Sequence, residues 1–455
     1  MAYQTINPYT EELVKSFSEH TDAQLEAIIA RGEKIYENDW SLRPLAERKK
    51  IVKRAAAILR EKLDEFARPI TVEMGKLFPE AQGEVKLSAD ILDYYADNAE
   101  NFLAPKKLKV QEGEAFIENA PLGVLFCVEP WNFPYYQLAR VAGPNLMAGN
   151  VLIVKHAPNV PQCALAFERL FLDAGAPEGV YSNVFLSNEQ AAKTVADPRI
   201  KGVALTGSER AGAAVASEAG QALKKSTMEL GGSDAFIVLD DADLNTAVKW
   251  GVWGRMNNTG QCCVAAKRFV LHEGIADAFL DRFKKALEQL VPGDPMDPQT
   301  TLGPLCTEGA LDLVLKQIKT AVDGGAKVLL GGKRADRPGY FLEPTILTNI
   351  TPENPAFHQE FFAPVALIFR VKNEQDAIKL ANDSPYGLGG SVITKDVERG
   401  KRVARQIETG MVFINQSTWT APDLPFGGVK NSGYGRELSD LGIGEFVNKK
   451  LIRVA

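Results

Sequence analysis

From residue 123 onward, short apolar runs alternate with helical stretches, and this alternation limits the fold more than any other feature of the chain. The runs at 123–128, 151–154, 202–205, 235–239 and 268–271 are rich in Val, Ile, Leu and Ala, with no polar face to spare. Runs this short and this apolar read as strands buried on both faces. Strands separated by helices pair in parallel through crossover connections. A second strand–helix series follows at 327–330, 364–369, 389–393 and 410–414. Two α/β domains result, with a break near 229–232 and a return near 420. The 455 residues are too many for one core and agree with such a division. Ahead of the alternation, residues 22–104 read as helical, with Asp22 as the expected N-cap. Ile28, Ile29 and Ile35, then Leu59, Leu63 and Phe66, recur there at helical spacing.

Charge and cysteine usage exclude several classes of function. Lys and Arg number 52 against 58 Asp and Glu, and the net charge of −6 argues against a nucleic-acid or anionic-membrane partner. No apolar run approaches the roughly 18 residues of a membrane span. The opening MAYQTINPYTEELVKS has no basic stretch followed by an apolar core, so no secretory leader is expected. The five cysteines, at 127, 163, 262, 263 and 306, show no CxxC spacing and fit a reducing cytoplasm. The four histidines are far apart, and no metal site is expected.

Four segments carry residues suited to chemistry. In VLFCVEPWNFPYYQLAR (124–140) a strand runs into Pro130-Trp131-Asn132-Phe133-Pro134 and a helix starts after it. Proline is well placed in a first helical turn. Asn132 thus stands at a strand's carboxyl end, where α/β proteins place ligands, and its amide can donate to a developing oxyanion or serve an ordinary turn. VLIVKHAP (151–158) and VALTGSERAG (203–212) are strands entering loops of small and polar residues. Gly207 and Gly212 permit close approach, Ser208 can cap a helix, and Lys155 can reach a ribose or phosphate or stay solvated. In STMELGGSDAFIVLDDADL (226–244), Glu229 precedes a glycine bend, which suits a general base or a surface carboxylate.

The fourth segment, NNTGQCCVAAKR (257–268), holds adjacent cysteines. Neighbouring Cα atoms lie about 3.8 Å apart, below the usual disulfide range, so a structural bridge is disfavoured. A nucleophilic thiol needs its pKa lowered from roughly 8.5. The turn 258–260 is expected to feed an alanine-rich helix whose N-terminus would do this, with Lys267 and Arg268 nearby. No histidine flanks the pair, which gives cofactor-free cysteine hydrolysis little support.

Together these segments resemble the aldehyde dehydrogenase family. PWNFP at 130–134, LTGS at 205–208, MELGGSD at 228–234, GQCC at 260–263, QEFFAPV at 359–365, NDSPYGLGGSV at 382–392 and PFGGVKNSGYGRE at 425–437 follow the family's order and spacing. The resemblance implies an α/β fold with a Rossmann-like cofactor domain (1–103 and 122–228), a thiol-bearing catalytic domain (229–430) and a small β oligomerisation element (104–121 and 438–455). It implies Cys263 as nucleophile, with Asn132 and the Cys263 N–H holding the oxyanion, and Glu229 activating water. Trp131, Lys155, Pro158, Gly207, Ser208, Gly212, Glu360 and Phe362 match cofactor positions. The family's Phe-Gly reads Phe362-Ala363 here.

Cofactor choice follows from a departure. NAD-preferring relatives commonly place a glutamate three positions after the strand-end lysine, and this chain has Pro158. Without that carboxylate a 2′-phosphate meets no repulsion and Lys155 can pair with it, so NADP is expected ahead of NAD. Tyr136, Gln137 and Arg140 share a helix face, which the resemblance puts on the substrate tunnel opposite Ser417, Trp419 and Thr420. An arginine there suits a substrate carboxylate, or else pairs with a protein carboxylate. The expected substrate is a short anionic aldehyde, succinate semialdehyde first. Glyceraldehyde 3-phosphate and a non-catalytic structural role are the alternatives. Cys262 reads as a small filler or as a resolving thiol that traps oxidised Cys263. A cytoplasmic homodimer or homotetramer is expected, the tail NKKLIRVA offering an edge strand.

Overall fold

A computed structural model describes residues 3–455. Its first sheet has six strands, in the spatial order Gly433–Tyr434, Lys225–Glu229, Ile200–Thr206, Val124–Glu129, Val151–His156 and Tyr181–Asn183. All pairings are parallel except that of Gly433–Tyr434, which lies antiparallel to Lys225–Glu229. The chain enters this sheet in the middle, at Val124–Glu129. It proceeds to Val151–His156 and Tyr181–Asn183 on one side, then crosses to Ile200–Thr206 and Lys225–Glu229 on the other. The order therefore reverses between Val124–Glu129 and Ile200–Thr206. Helices leaving those two strands in opposite directions open a crevice beyond their carboxyl ends, which is where open α/β sheets bind ligands.

The second sheet has seven strands, in the order Lys327–Leu330, Thr345–Thr348, Val365–Val371, Ala266–His272, Asp234–Val238, Gly390–Ile393 and Phe413–Ile414. Only its first pair is antiparallel. The chain passes between the sheets directly, leaving the first at Glu229 and entering the second at Asp234. It rejoins the first only at Gly433–Tyr434, later than the return expected near 420. A third sheet pairs Val447–Val454 with Glu114–Pro121, which also pairs with Lys106–Leu108. The tail strand is thus already hydrogen-bonded along one side within its own chain.

Between an opening two-stranded sheet, Tyr3–Ile6 with Leu13–Phe17, and the sheets above lie four helices: Asp22–Asn38, Leu45–Glu61, Leu63–Met74 and Phe78–Leu103. The first is capped one residue earlier than expected. Thr21 accepts from the Gln24 N–H while the Gln24 side chain reaches back, a reciprocal capping box that leaves Asp22 in the first turn. Phe78–Leu103 packs on Pro134–Ala148, a helix buried at every position, and one apolar core joins these helices to the first sheet. No described helix is long and apolar enough to cross a membrane, and no described group of His, Cys, Asp and Glu could hold a metal ion.

Candidate active site

The thiol loop is held by backbone that most residues avoid. After the helix Leu244–Met256, Asn258, Thr259 and Gly260 take φ of 51°, 54° and 74° in succession. Such conformations cost of order 1–3 kcal/mol each in non-glycine residues and persist only where the surroundings fix them. Here Asn258 Nδ2 donates to the carbonyls of Asn132 (2.8 Å) and Gln261 (3.1 Å), and Arg255 Nη2 donates to that of Gly260 (2.6 Å). A Cβ on Gly260 would come within 2.5 Å of the Ala363 carbonyl, so only glycine closes the turn. Cys262 and Cys263 follow in a short turn that leads into the strand Ala266–His272. The expected alanine-rich helix does not form, because these residues lie between a left-handed turn and a central strand. No helix therefore starts at the thiols.

The positive charge near them comes from Lys267. Its ammonium donates to the Cys262 carbonyl (2.9 Å), the Cys263 carbonyl (2.7 Å) and Glu360 Oε1 (2.9 Å). The two thiols share a hydrogen bond, which draws Cys262 below the usual cysteine range and holds Cys263 well above it. Burial raises both, and Lys267 lowers both.

Asn132 lies opposite this loop and is buried. Its Oδ1 accepts from Gln137 Nε2 (2.9 Å), which orients the amide so that Nδ2 donates to the Gln261 carbonyl (3.1 Å) beside the thiols. Two residues without a sequence signal hold it there. Lys76 Nζ donates to the Asn132 carbonyl (2.9 Å) and pairs with Glu84. Glu84 Oε1 accepts from the N–H groups of Tyr135 (2.8 Å) and Tyr136 (3.1 Å), capping the Pro134–Ala148 helix from 50 residues upstream. Their partners are remote in sequence, so no spacing rule could have found them.

Glu229 ends its strand buried, with both carboxylate oxygens lacking any protein hydrogen-bond partner. Burial, then Glu437, hold it well above the ordinary carboxyl range, while Arg140 and Arg436 oppose them. Glu437 and Glu129 share its surroundings. Glu129 is likewise buried without a hydrogen-bonded partner at either oxygen, and burial and Glu437 raise its pKa as well. Three buried carboxyls thus surround one guanidinium, that of Arg140.

Of its two expected partners, Arg140 meets the protein carboxylate. Its Nε is salt-bridged to Glu437, Nη2 donates to Thr206 Oγ1 (2.9 Å) and Nη1 donates to the Tyr136 hydroxyl (3.2 Å). The guanidinium sits between the rings of Tyr136 and Phe426, at 5.0 and 4.7 Å from their centroids. It is therefore not a free cation awaiting a substrate carboxylate. It has a protein carboxylate already, and the Tyr136 hydroxyl also accepts from it.

The other expected substrate residues divide. The Tyr136 hydroxyl is 2.9 Å from Thr420 Oγ1. Thr420 and Trp419 line a cavity of about 390 Å³ that reaches Cys262 and is walled by Phe133, Trp253 and Thr418. Ser417 stands outside it, fully buried, with its hydroxyl donating to the Trp250 carbonyl (2.7 Å). The cavity-lining residue is Thr418, one position on. Gln137 is likewise occupied, by Asn132.

The cofactor positions lie across the carboxyl ends of the first sheet. Lys155 is near the end of Val151–His156, its ammonium 5.7 Å above the Tyr3 ring, and burial lowers its pKa. Pro158 follows in the loop, its carbonyl accepting from the Gln4 N–H (2.9 Å). Ser208 caps the helix Glu209–Gln221 through the Ala211 N–H. The Gly207 N–H donates to the Glu229 carbonyl (2.9 Å), which ties this loop to the candidate base. Gly212 packs so tightly that a Cβ would meet Leu230 at 2.5 Å. Toward the thiols, Trp131 and Phe362 meet edge to face at 5.8 Å, and Glu360 Oε1 also accepts from the Gly232 N–H (3.1 Å). A Cβ on Gly231 would fall 2.4 Å from Glu360 Oε2, so the bend keeps that carboxylate close to the backbone. A capped helix N-terminus, a cation without a carboxylate at position 158 and a carboxylate facing the thiols together fit a dinucleotide laid across the switch point.

Comparison with known proteins agrees. The model of the aldehyde dehydrogenase family matches residues 1–452. A succinate-semialdehyde dehydrogenase [NADP(+)] of Deinococcus radiodurans is 51% identical over 99% of this chain and 94% of its own length. A probable succinate-semialdehyde dehydrogenase [NADP(+)] of Synechocystis sp. is 45% identical, with both chains fully covered. Among solved structures, Gox0499 superposes with a TM-score of 0.99 at 61% identity, and a succinic semialdehyde dehydrogenase from Streptococcus pyogenes in complex with NADP+ superposes at 0.98 and 48%. Both cover each chain fully.

Proposed function

Since the chain belongs to the aldehyde dehydrogenase family, we propose that it oxidises succinate semialdehyde to succinate with NADP as the preferred acceptor. The observation that carries this reading is the convergence of Asn132, the Cys263 loop and Glu229 on the switch-point crevice, with Arg140 held behind the Tyr136 hydroxyl. Cys263 Sγ attacks the aldehyde carbon to give a thiohemiacetal. The amide of Asn132, already aimed at the neighbouring carbonyl of Gln261, and the Cys263 N–H receive the oxyanion. NADP held by Trp131, Phe362 and Glu360 would supply the hydride acceptor at this point. Glu229 then takes a proton from the water that hydrolyses the thioester, releasing acid and thiol.

Trp131, Phe362 and Glu360 would hold the nicotinamide ribose and ring. Lys155, Gly207, Ser208 and Gly212 would hold the adenosine and diphosphate side, and Pro158 leaves room for a 2′-phosphate. Residues 1–103 and 122–228 then form the cofactor domain, and 229–430 the catalytic one. The substrate carboxylate is received by the Tyr136 and Thr420 hydroxyls, and Arg140 acts through Tyr136 rather than by direct pairing. The free edges of the three-stranded sheet, with Leu451 and Val454 exposed on the tail strand, serve assembly into a cytoplasmic homodimer or homotetramer.

The test is a panel of succinate semialdehyde, glyceraldehyde 3-phosphate and an uncharged aldehyde of equal length, assayed with each cofactor. The highest kcat/KM is expected for succinate semialdehyde with NADP, and none is expected from Cys263→Ser. A clear NAD preference, or equal rates with the uncharged aldehyde, would overturn the assignment.

A further inference from the structure

Lys267 lies within the strand Ala266–His272, between neighbours on both sides in the middle of the second sheet, and its side chain is 0% exposed. An apolar residue is the ordinary occupant of such a position, because a buried ammonium costs several kcal/mol unless its hydrogens find acceptors. All three find one: the Cys262 carbonyl, the Cys263 carbonyl and Glu360 Oε1, at 2.7–2.9 Å. Its neighbour Arg268, on the opposite face of the strand, shows what a structural cation does here. It donates to the carbonyls of Ser233, Leu380 and Ala381, tying the bend before Asp234 to the last turn of the helix Glu374–Asn382. Lys267 instead joins the two thiol-bearing peptides to the Glu360 carboxylate.

We propose that Lys267 is the positioning residue of this site, locking the thiol pair to Glu360 and supplying the positive charge that the thiolate faces. Other charged groups approach the thiols less directly. Arg140 from the Pro134–Ala148 helix is neutralised by Glu437, and Lys76 is neutralised by Glu84. Arg255 from the Leu244–Met256 helix donates to Gly260, Asp234 opens the neighbouring strand, and Glu80 accepts from the Asn258 N–H. Only Lys267 is bonded to the thiol-bearing peptides themselves. Its charge is half-masked by Glu360, so altering the two partners has opposite consequences. Removing the ammonium withdraws the favourable potential from the thiolate, and removing the carboxylate exposes more of it.

The inference rests on Cys263 as nucleophile and Glu360 as a cofactor-side residue, yet its test needs neither turnover nor cofactor. In the cofactor-free enzyme, on a Cys262→Ala background, the rate of Cys263 alkylation by iodoacetamide is followed against pH, with the modified peptide identified by mass spectrometry. Lys267→Met is expected to raise the alkylation midpoint by about one pH unit, slowing reaction at neutral pH about tenfold. Glu360→Gln is expected to lower the midpoint. Should Lys267→Met fail to fold, the sign of the Glu360→Gln shift decides alone. Midpoints that match the parent, or a rise in Glu360→Gln, overturn the proposal. Failure of the catalytic assignment would appear elsewhere, as aldehyde oxidation surviving in Cys263→Ser.

Discussion

Two clusters of buried charge serve the crevice, and they balance their charges differently. Around Lys267 one ammonium meets one carboxylate and two carbonyls, and every hydrogen is used. Around Arg140 one guanidinium meets three carboxyls, Glu129, Glu229 and Glu437, and most of the carboxyl oxygens have no donor. Burial raises all three, and Glu437 raises the other two further, so they resist ionising together. The first cluster is closed by its own stoichiometry, so it holds geometry and charge without exchanging a proton. The second must retain protons, and a group that retains a proton near neutrality is able to exchange it. Fixing the nucleophile and moving protons are thus assigned to separate sides of one site.

The sharpest break in this comparison is Glu229→Gln. The amide keeps the shape of the carboxyl but cannot take a proton, so turnover should fall about 10²- to 10⁴-fold. A single burst of reduced cofactor should survive, because thioester formation does not use Glu229. In the wild type, burial first and Glu437 second hold Glu229 well above the ordinary range, which favours its protonated form. Turnover should then rise with pH as the carboxyl ionises, and a pH profile of kcat checks the sign. A flat profile with an unaltered burst would place the exchangeable proton elsewhere.

The second break is Arg140→Met, which removes the guanidinium salt-bridged to Glu437 while leaving the Lys267 cluster intact. Breaking a buried pair from one side costs about 3–5 kcal/mol. The loss should depend on pH. Without the guanidinium the folded-state pKa of Glu437 rises further, and below the unfolded value of roughly 4.3 both states hold the proton, so little separates the two enzymes. Above it the unfolded chain ionises in both enzymes alike, and the variant falls behind as pH rises through the wild type's folded-state value, where wild-type Glu437 ionises and the variant's does not. Thermal unfolding should therefore show a small difference near pH 5 and a large one near pH 8. An equal deficit at both would mean that Arg140 stabilises by packing against Tyr136 and Phe426 alone.

These clusters also mark where the sequence could be read and where it could not. The strands were legible because buried parallel strands leave continuous apolar runs, as in Val151–His156. Asn132 and Glu229 were legible as residues at strand ends beside turns. Arg140 was visible as a charge on an apolar helix, but its partner Glu437 lies almost 300 residues away and arrives through the antiparallel bridge between Phe426 and Glu437. Lys76, Glu84 and Glu129 were missed for the same reason, since long-range pairing leaves no local spacing. Ser417 and the helix expected after Gly260 failed differently. A loop residue's facing and a turn's continuation depend on what packs behind them: the Trp250 carbonyl in one case and the central strand in the other.

The smallest effect on turnover is expected from Cys262→Ala, which lies between the two clusters and tests whether the second thiol belongs to either. The substitution removes the neighbour whose hydrogen bond raises Cys263, so alkylation of Cys263 near neutral pH should quicken while kcat changes by less than about threefold. Oxidation separates a filler from a working thiol. Peroxide converts the Cys263 thiolate to a sulfenic acid, and attack by the Cys262 thiol expels water and leaves a disulfide between adjacent residues. Such a bond is strained, because the neighbouring Cα atoms are only about 3.8 Å apart, and a strained bond is readily opened by a dithiol. Without Cys262 the sulfenic acid stays open to a second peroxide and passes to the irreversible sulfinic acid. After peroxide and then reductant, wild type should recover most of its activity and Cys262→Ala little. Equal recovery would leave Cys262 as a small side chain that fills the turn, and Lys267 would then have a single thiol to position.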